Sequence, residues 1–338
     1  MTSSALVLGA CGSSGDDPGK QARPVGSAEA QRSPAAENVD GDVLTLGGEF
    51  STIDGLAVLG DHIAVRSGDK LGIGTREQFE DDDFSVVDIA EGCGELSAGA
   101  TDFVLACPQA VDGTEQGGVV YLIDPTAPTL ENTRTAEERF TTATQTSTGD
   151  VVAAAADSSR IITFPHDDPT ATTEISMTDT VDQLVSTTYA DHLDPVVVIN
   201  RKFTTIQGLD REQRREGGRL RAGAGIGTVA PGEQGVFLAA DTEGDQLLVY
   251  TRFDVVRLHQ SMPVDRSPWA VAWDSSQQLA WVASTGTNSL VGYDLSTGEP
   301  LEQQRYSTVA DATSLAVMDN GTKVLASASG DGIQFLDS

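Results

Sequence analysis

Basic residues are scarce in this chain. There are 21 lysines and arginines against 51 aspartates and glutamates, a formal net charge of −30 over 338 residues, and a phosphate backbone needs a basic face to displace its counterions. Nucleic acid is thereby excluded as a partner. No run of about 18 apolar residues occurs, so no segment is fit to cross a bilayer as a helix. Missing too is the period of about 3.6 residues that an amphipathic helix shows over ten or more positions. Segments instead alternate with a period of two, or form short apolar runs between turn residues. Core material is not lacking, since 39% of the residues belong to the hydrophobic set and 35 more are glycine, close to an ordinary globular composition. The class that remains is all-β, in which one domain can hold well over about 200 residues.

Cysteine is nearly absent, with three in all. The first closes Leu8-Gly9-Ala10-Cys11, ahead of Gly12-Ser13-Ser14-Gly15, and this order of apolar, small, small, Cys resembles a bacterial lipobox. The resemblance implies lipidation of Cys11 and an extracytoplasmic protein anchored to the cell membrane by that lipid alone. Only residues 5–10 precede Cys11 as an apolar stretch, shorter than the roughly 7 to 15 residues of a signal peptide. Residues 1–11 are therefore read as a truncated signal segment, with the true translation start upstream; the plainer account is a cytosolic protein with a chance match. Residues 12–41 are rich in Gly, Ser, Pro, Ala and Glu and hold almost no large apolar side chain, so burial cannot offset their ordering entropy. They are expected to form a disordered tether with a reach of about 30 Å.

Cys93 and Cys107 remain as an even pair, in keeping with an oxidising compartment. Gly99-Ala100-Thr101-Asp102 between them reads as a tight turn. In an antiparallel hairpin the two cysteines then lie opposite each other, within reach of a disulfide; two buried free thiols are the alternative.

Internal repetition decides the fold. Residues 270–274 and 279–284 superpose without a gap on 315–319 and 324–329 at an offset of 45, and residues 236–240 and 246–250 match 279–283 and 289–293 at an offset of 43. The same second strand can be followed back to starts near Val196, Val151, Phe103 and His62, which gives seven units spaced by 40 to 48 residues. That is the repeat length of a four-stranded propeller blade. The last unit stops after its third strand, Ile333-Gln334-Phe335-Leu336, while a spare strand, Val43-Leu44-Thr45-Leu46, precedes the first. Residues 42–338 are thus expected to be one seven-bladed β-propeller, closed by the N-terminal strand so that no sheet edge is left open.

Residues 279–301 resemble a YVTN-type repeat: a strand from Leu279, a turn with Asn288, a second strand ending in Asp294, then Thr297-Gly298. The wider group of YVTN and lactonase-like seven-bladed propellers, in its bacterial and actinobacterial envelope kind, includes lipoproteins without an assigned role, lactonases and surface-layer proteins. The resemblance implies the fold and leaves the function open.

No chemistry announces itself. The four histidines, His62, His166, His192 and His259, have no metal-ligand spacing, and His166 and His192, in adjacent blades three and four, are the only plausible spatial pair. There is no Gly-x-Ser-x-Gly elbow, and Gly223, Gly225 and Gly227 lack the spacing and βαβ setting of a dinucleotide fingerprint. No catalytic residue, metal ligand or cofactor is assigned. The run Glu80-Asp81-Asp82-Asp83 lacks the alternating spacing of a calcium loop and reads as a solvated loop. Arg211, Arg214, Arg215, Arg219 and Arg221 form a basic cluster for an anionic polymer or lipid headgroup, but Glu212 and Glu216 dilute it, and a neutralised surface loop is favoured. Trp269, Trp273 and Trp281 fall on alternating strand positions of blade six, where packing between blades is the default. Propeller geometry places the loops from each outermost strand into the next innermost strand around one mouth of the channel. Those loops carry Asp54, Glu91, Asp182, Asp265, Arg266 and Asp311, a mainly acidic rim and the candidate ligand site, in a chain where about one residue in seven is acidic.

The chain is expected to be a monomeric, lipid-anchored binding or protein-interaction module at the envelope of a high-GC Gram-positive cell, holding a small ligand or an envelope protein. Two other classes stay open: a lactonase-like hydrolase, implied by the resemblance alone, and an envelope metal-binding carrier.

Overall fold

The computed structural model describes residues 25–338 apart from 112, 114–116, 156 and 191. Cys11 lies outside the described residues. Seven four-stranded antiparallel sheets follow one another along the chain. Their first strands are Gly55–Leu59, Leu96–Ala98, Thr142–Gln145, Gln183–Ser186, Ile226–Pro231, Pro268–Asp274 and Ala312–Val317, which contact one another in sequence and close a ring. This is the β-propeller expected from the repeats.

The second and third strands explain why the repeats were visible. Phe103–Cys107, Leu279–Ser284 and Ser289–Asp294 are buried along nearly their whole length, because each blade is covered by a neighbour on both faces; they therefore read as short apolar runs. Outermost strands such as Leu301–Ser307 meet solvent and are polar. The core lies in the seams: seven clusters of buried side chains, each shared by two adjacent blades. At the seam of blades seven and one, Val324, Ala326 and Phe335 meet Ile63, Val65 and Phe79.

The ring closes at its expected place. Asp42–Leu44 pairs antiparallel with Ile333–Leu336, Asp42 opposite Phe335 and Leu44 opposite Ile333. It is shorter than the apolar pattern 43–46 foretold, since Leu46 has left the sheet and is buried in the seam. Gly332 sits where the closing strand passes, at φ +91°, and a Cβ there would lie 2.2 Å from the Leu44 carbonyl oxygen. Cys93 and Cys107 are disulfide-bonded. Cys107 ends the second strand of blade two, while Cys93 lies in the turn before its first strand instead of opening that strand.

Two features depart from expectation. Arg76–Glu80 forms a short α-helix that takes in the first residue of the acidic run, started by a capping box in which Thr75 and Gln78 satisfy each other's backbone amides. Of the segment 12–41 expected to be a loose tether, residues 25–41 are laid against the propeller, because their backbone groups find partners on its loops. Residues 12–24 lie outside the described residues.

Candidate functional site

In a four-stranded antiparallel blade, two sets of loops emerge at one end: those from second to third strands and those from the outermost strand into the next blade. The residue just ahead of each innermost strand therefore stands at the mouth of the central channel. Around the ring these are Asp54, Glu95, Thr141, Asp182, Gly225, Ser267 and Asp311. The channel behind them has a volume of about 830 Å³ and is walled largely by small and apolar side chains, with Trp269 and Trp273 on the side of blade six.

The expected acidic rim is brought together only in part. Asp54 and Asp182 line the channel. Glu91 is exposed in the turn four positions upstream, and Glu95 takes the place assigned to it. Both glutamates lie in an irregular turn without a period to fix the register, which is why sequence chose the wrong one. Asp265 accepts from Ser289 Oγ at 2.6 Å and pairs with Arg305 of the outermost strand. Arg266 donates from Nη2 to the Gly286 carbonyl at 3.0 Å, and Asp311 accepts from the Ser33 amide at 2.7 Å. None of these three lines the channel.

What assembles instead is a mixed-charge girdle across blades one to five. Arg66, on the second strand of blade one, donates from Nε to Asp54 Oδ1 at 2.7 Å and from Nη1 to the carbonyls of Cys93 and Gly94. It ties blade one to the disulfide-bearing turn of blade two and is fully committed. Arg201 follows the second strand of blade four; its backbone amide donates to Asp182 Oδ2 at 2.7 Å and its Nε to the Gly227 carbonyl at 2.9 Å. Its Nη2 makes no hydrogen bond to the described residues. Between them Glu95 accepts from Gln183 Nε2 at 2.6 Å and from Thr142 Oγ1 at 3.0 Å. Gln183 is fixed in turn by the backbone of Val229, to which it donates at 2.9 Å and from which it accepts at 3.0 Å.

Glu95 is reached by channel solvent yet surrounded by protein. Loss of bulk water pushes its carboxyl above the usual glutamate range, against the pull of Arg201, of the Thr142 and Gln183 hydrogen bonds, and of Arg66. The result is a carboxyl whose charge burial disfavours, near a guanidinium whose Nη2 donates to none of the described residues. That pair can grip a polar group offering both an acceptor and a donor.

The remaining motifs fall to plainer roles. Arg211, Arg215 and Arg219 pair with Asp150, Asp210 and Asp179, and Arg221 donates to the Gly223 carbonyl; the segment expected to be a loop is in part the outermost strand of blade four, Arg215–Arg221. Trp281 is buried between blades six and seven as packing requires, whereas Trp269 and Trp273 also face the channel. His192 stacks on Tyr189, and among the described residues no group of three or more His, Cys, Asp and Glu is placed to hold a metal ion.

Sequence did not point to Glu95, Arg66, Gln183 or Arg201. Two signals were there: the position ahead of the first strand, once Asp54 and Asp182 had fixed it, and an arginine ending an otherwise apolar second strand.

No protein-family model matches the chain, and no curated protein matches it significantly in sequence. Solved structures match its fold. A chain of a mitotic checkpoint complex superposes with a TM-score of 0.66 at 11% identity, covering 100% of this chain and 99% of that one. The β-propeller domain of Cps50 (Swd1) from Myceliophteria thermophila gives 0.67 at 10% identity, covering 88% and 100%. The WD40 β-propeller domain of Doa1 gives 0.61 at 11%, covering 88% and 96%. At such identities the likeness is one of architecture alone: the chain has the β-propeller fold.

Proposed function

We propose that this protein is a binding module that holds a small ligand or a protein partner on its channel-mouth face, and that it does so outside the cytoplasm, anchored to the membrane through lipidated Cys11. The observation that carries the binding role is the girdle of Glu95 and Arg201 at a channel of about 830 Å³, a size within the ordinary range of small-molecule sites. A carboxyl held by Gln183 and Thr142 and a guanidinium whose Nη2 donates to none of the described residues offer a ligand complementary polar contacts there. Propellers of this build also occur in assemblies, as the checkpoint-complex neighbour shows of itself. The address is supported by the lipobox resemblance around Cys11 and by the disulfide, which suits an oxidising compartment.

The binding role is tested by native mass spectrometry of protein purified gently from its own cells. Wild type is expected to retain a bound species that Arg201→Ala loses while still unfolding cooperatively. Equal spectra would remove Arg201 from the site. The address is tested by feeding cells an alkyne fatty acid: label should enter the wild type and be absent from Cys11→Ala, and an unlabelled wild type would refute the anchor.

A further inference from the structure

Residues 25–35 hold no large side chain apart from the exposed Val25, Glu29, Gln31 and Arg32, and such a segment does not order itself by burial. It is nevertheless laid across the channel-mouth face from blade four to blade seven. What holds it is main chain and one hydroxyl. The amides of Gly26 and Ser27 donate to the carbonyls of Ala224 and Arg201 at 2.8 and 2.7 Å, and that of Gln31 donates to Ser267 Oγ at 3.0 Å. The Pro34 carbonyl accepts from Asn288 Nδ2 at 2.9 Å. Ser33 is gripped hardest: its amide donates to Asp311 Oδ1 at 2.7 Å, and its hydroxyl donates to the Thr285 carbonyl and accepts from the Asp311 amide, both at 2.8 Å.

Two properties follow from this pattern. A trough that bonds backbone groups and a single hydroxyl reads extended shape and the position of that hydroxyl, so another small-residue segment can make the same bonds. A segment that buries only Gly26 and Ala28 is held by hydrogen bonds that water can replace at little net cost. The geometry points to the trough over blades four to seven as a docking groove for an extended, hydroxyl-bearing, small-residue peptide of a partner, which residues 25–35 occupy in cis until such a peptide displaces them. The inference rests on the binding-module reading in placing the partner on this face. It adds the partner's chemistry and a second consequence: Ala30 of the resident segment lies at the channel, so displacement uncovers the girdle.

The test uses the full chain and a fluorescein-labelled synthetic peptide of residues 25–36, followed by anisotropy. Ser33→Ala in the chain removes both hydroxyl bonds from the resident segment and leaves the groove intact. It should bind the peptide at least about tenfold more tightly than wild type, as expected for the loss of two hydrogen bonds in cis. A peptide with alanine at the position of Ser33 should bind that same chain at least about tenfold more weakly. A staple supplies the second arm. A Cβ on Gly225 would lie 3.2 Å from that of Ala28 but 2.9 Å from Cβ and 2.5 Å from Cγ of Glu243, so an A28C/G225C pair made in an E243G chain, and opened by a few tenths of an ångström, is within disulfide reach. The oxidised form should refuse the peptide and the reduced form accept it. A folded Ser33→Ala chain that does not bind the peptide, or oxidised and reduced forms that bind it alike, would overturn the proposal. Because ligand retention through Arg201 is measured without the peptide, the two readings can fail separately.

Discussion

Lys323 opens the second strand of blade seven and is wholly buried, and its Nζ has no hydrogen-bond partner among the described residues. It lies 5.0 Å from the Trp281 ring centroid and 5.7 Å from that of Tyr306. A cation over aromatic faces regains on the order of 2 kcal/mol, less than the several kcal/mol lost with its water. Burial accordingly draws its pKa below the ordinary lysine value of 10.5, against the attraction of Asp274 and Asp337. Lys323→Met should therefore stabilise the protein at pH 7, by roughly 1 to 4 kcal/mol, the range seen when buried charges give way to packed apolar groups. Below the lowered folded pKa both states are protonated and the wild type bears the full cost. Between that pKa and the unfolded value the unfolded chain holds more protons, so wild-type stability rises with pH, and the advantage of methionine shrinks towards pH 10.5. Urea unfolding of both proteins at pH 7 and pH 10 measures this; an advantage that grows with pH contradicts it. At the same scale, sequence found Asp54 and Asp182 because the repeat register reaches them directly. It missed Glu95 because a side chain's place in an irregular turn is set by tertiary contacts, here Gln183 and Thr142 of other blades.

Among elements, those buried on both faces were the legible ones. The second-strand starts read at His62, Phe103, Val151, Val196, Val236 and Leu279 begin the observed strands, and that read at Val324 falls one residue inside Lys323–Ser327. Burial on two faces leaves a run of apolar residues that no loop imitates. The helix Arg76–Glu80 was not read although Thr75 and Gln78 have the spacing of a capping box, since five residues are too few to show a period. Residues 25–35 were misread for a sound reason: their composition cannot order them, and the bonds that do are supplied by blades four to seven. The hairpin between Cys93 and Cys107 is the element whose energetics are simplest to test. With a sequence separation of 14, the bridge should contribute about 3 kcal/mol by loop entropy. Cys93→Ser with Cys107→Ser should lower the unfolding midpoint accordingly, and non-reducing peptide mapping should find the linked peptides in wild type. Equal midpoints would mean that the turn holding Arg66 is fixed without the bridge.

At the scale of the whole molecule, closure joins the two ends of the chain in one blade, with Asp42–Leu44 completing the sheet of Ile333–Leu336. Sequence foretold this from a missing fourth strand at one end and a spare one at the other. It could not foretell that the segment leading into the closing strand would first cross the channel mouth, with Asp40 seated between Ser307 and Gln334 on its way to the seam. The ring thus has two unlike ends, and the proposed recognition lies at one of them. A photo-crosslinking residue can be introduced in the full chain, in its own cells, at exposed Glu91 on the loops of the channel-mouth end, at Thr126 on the loops of the opposite end, and at Leu258 on an outermost strand. Adducts, seen as a gel shift or an added intact mass, are expected from position 91 and not from 126 or 258. Adducts from 126 or 258 with none from 91 would contradict that placement.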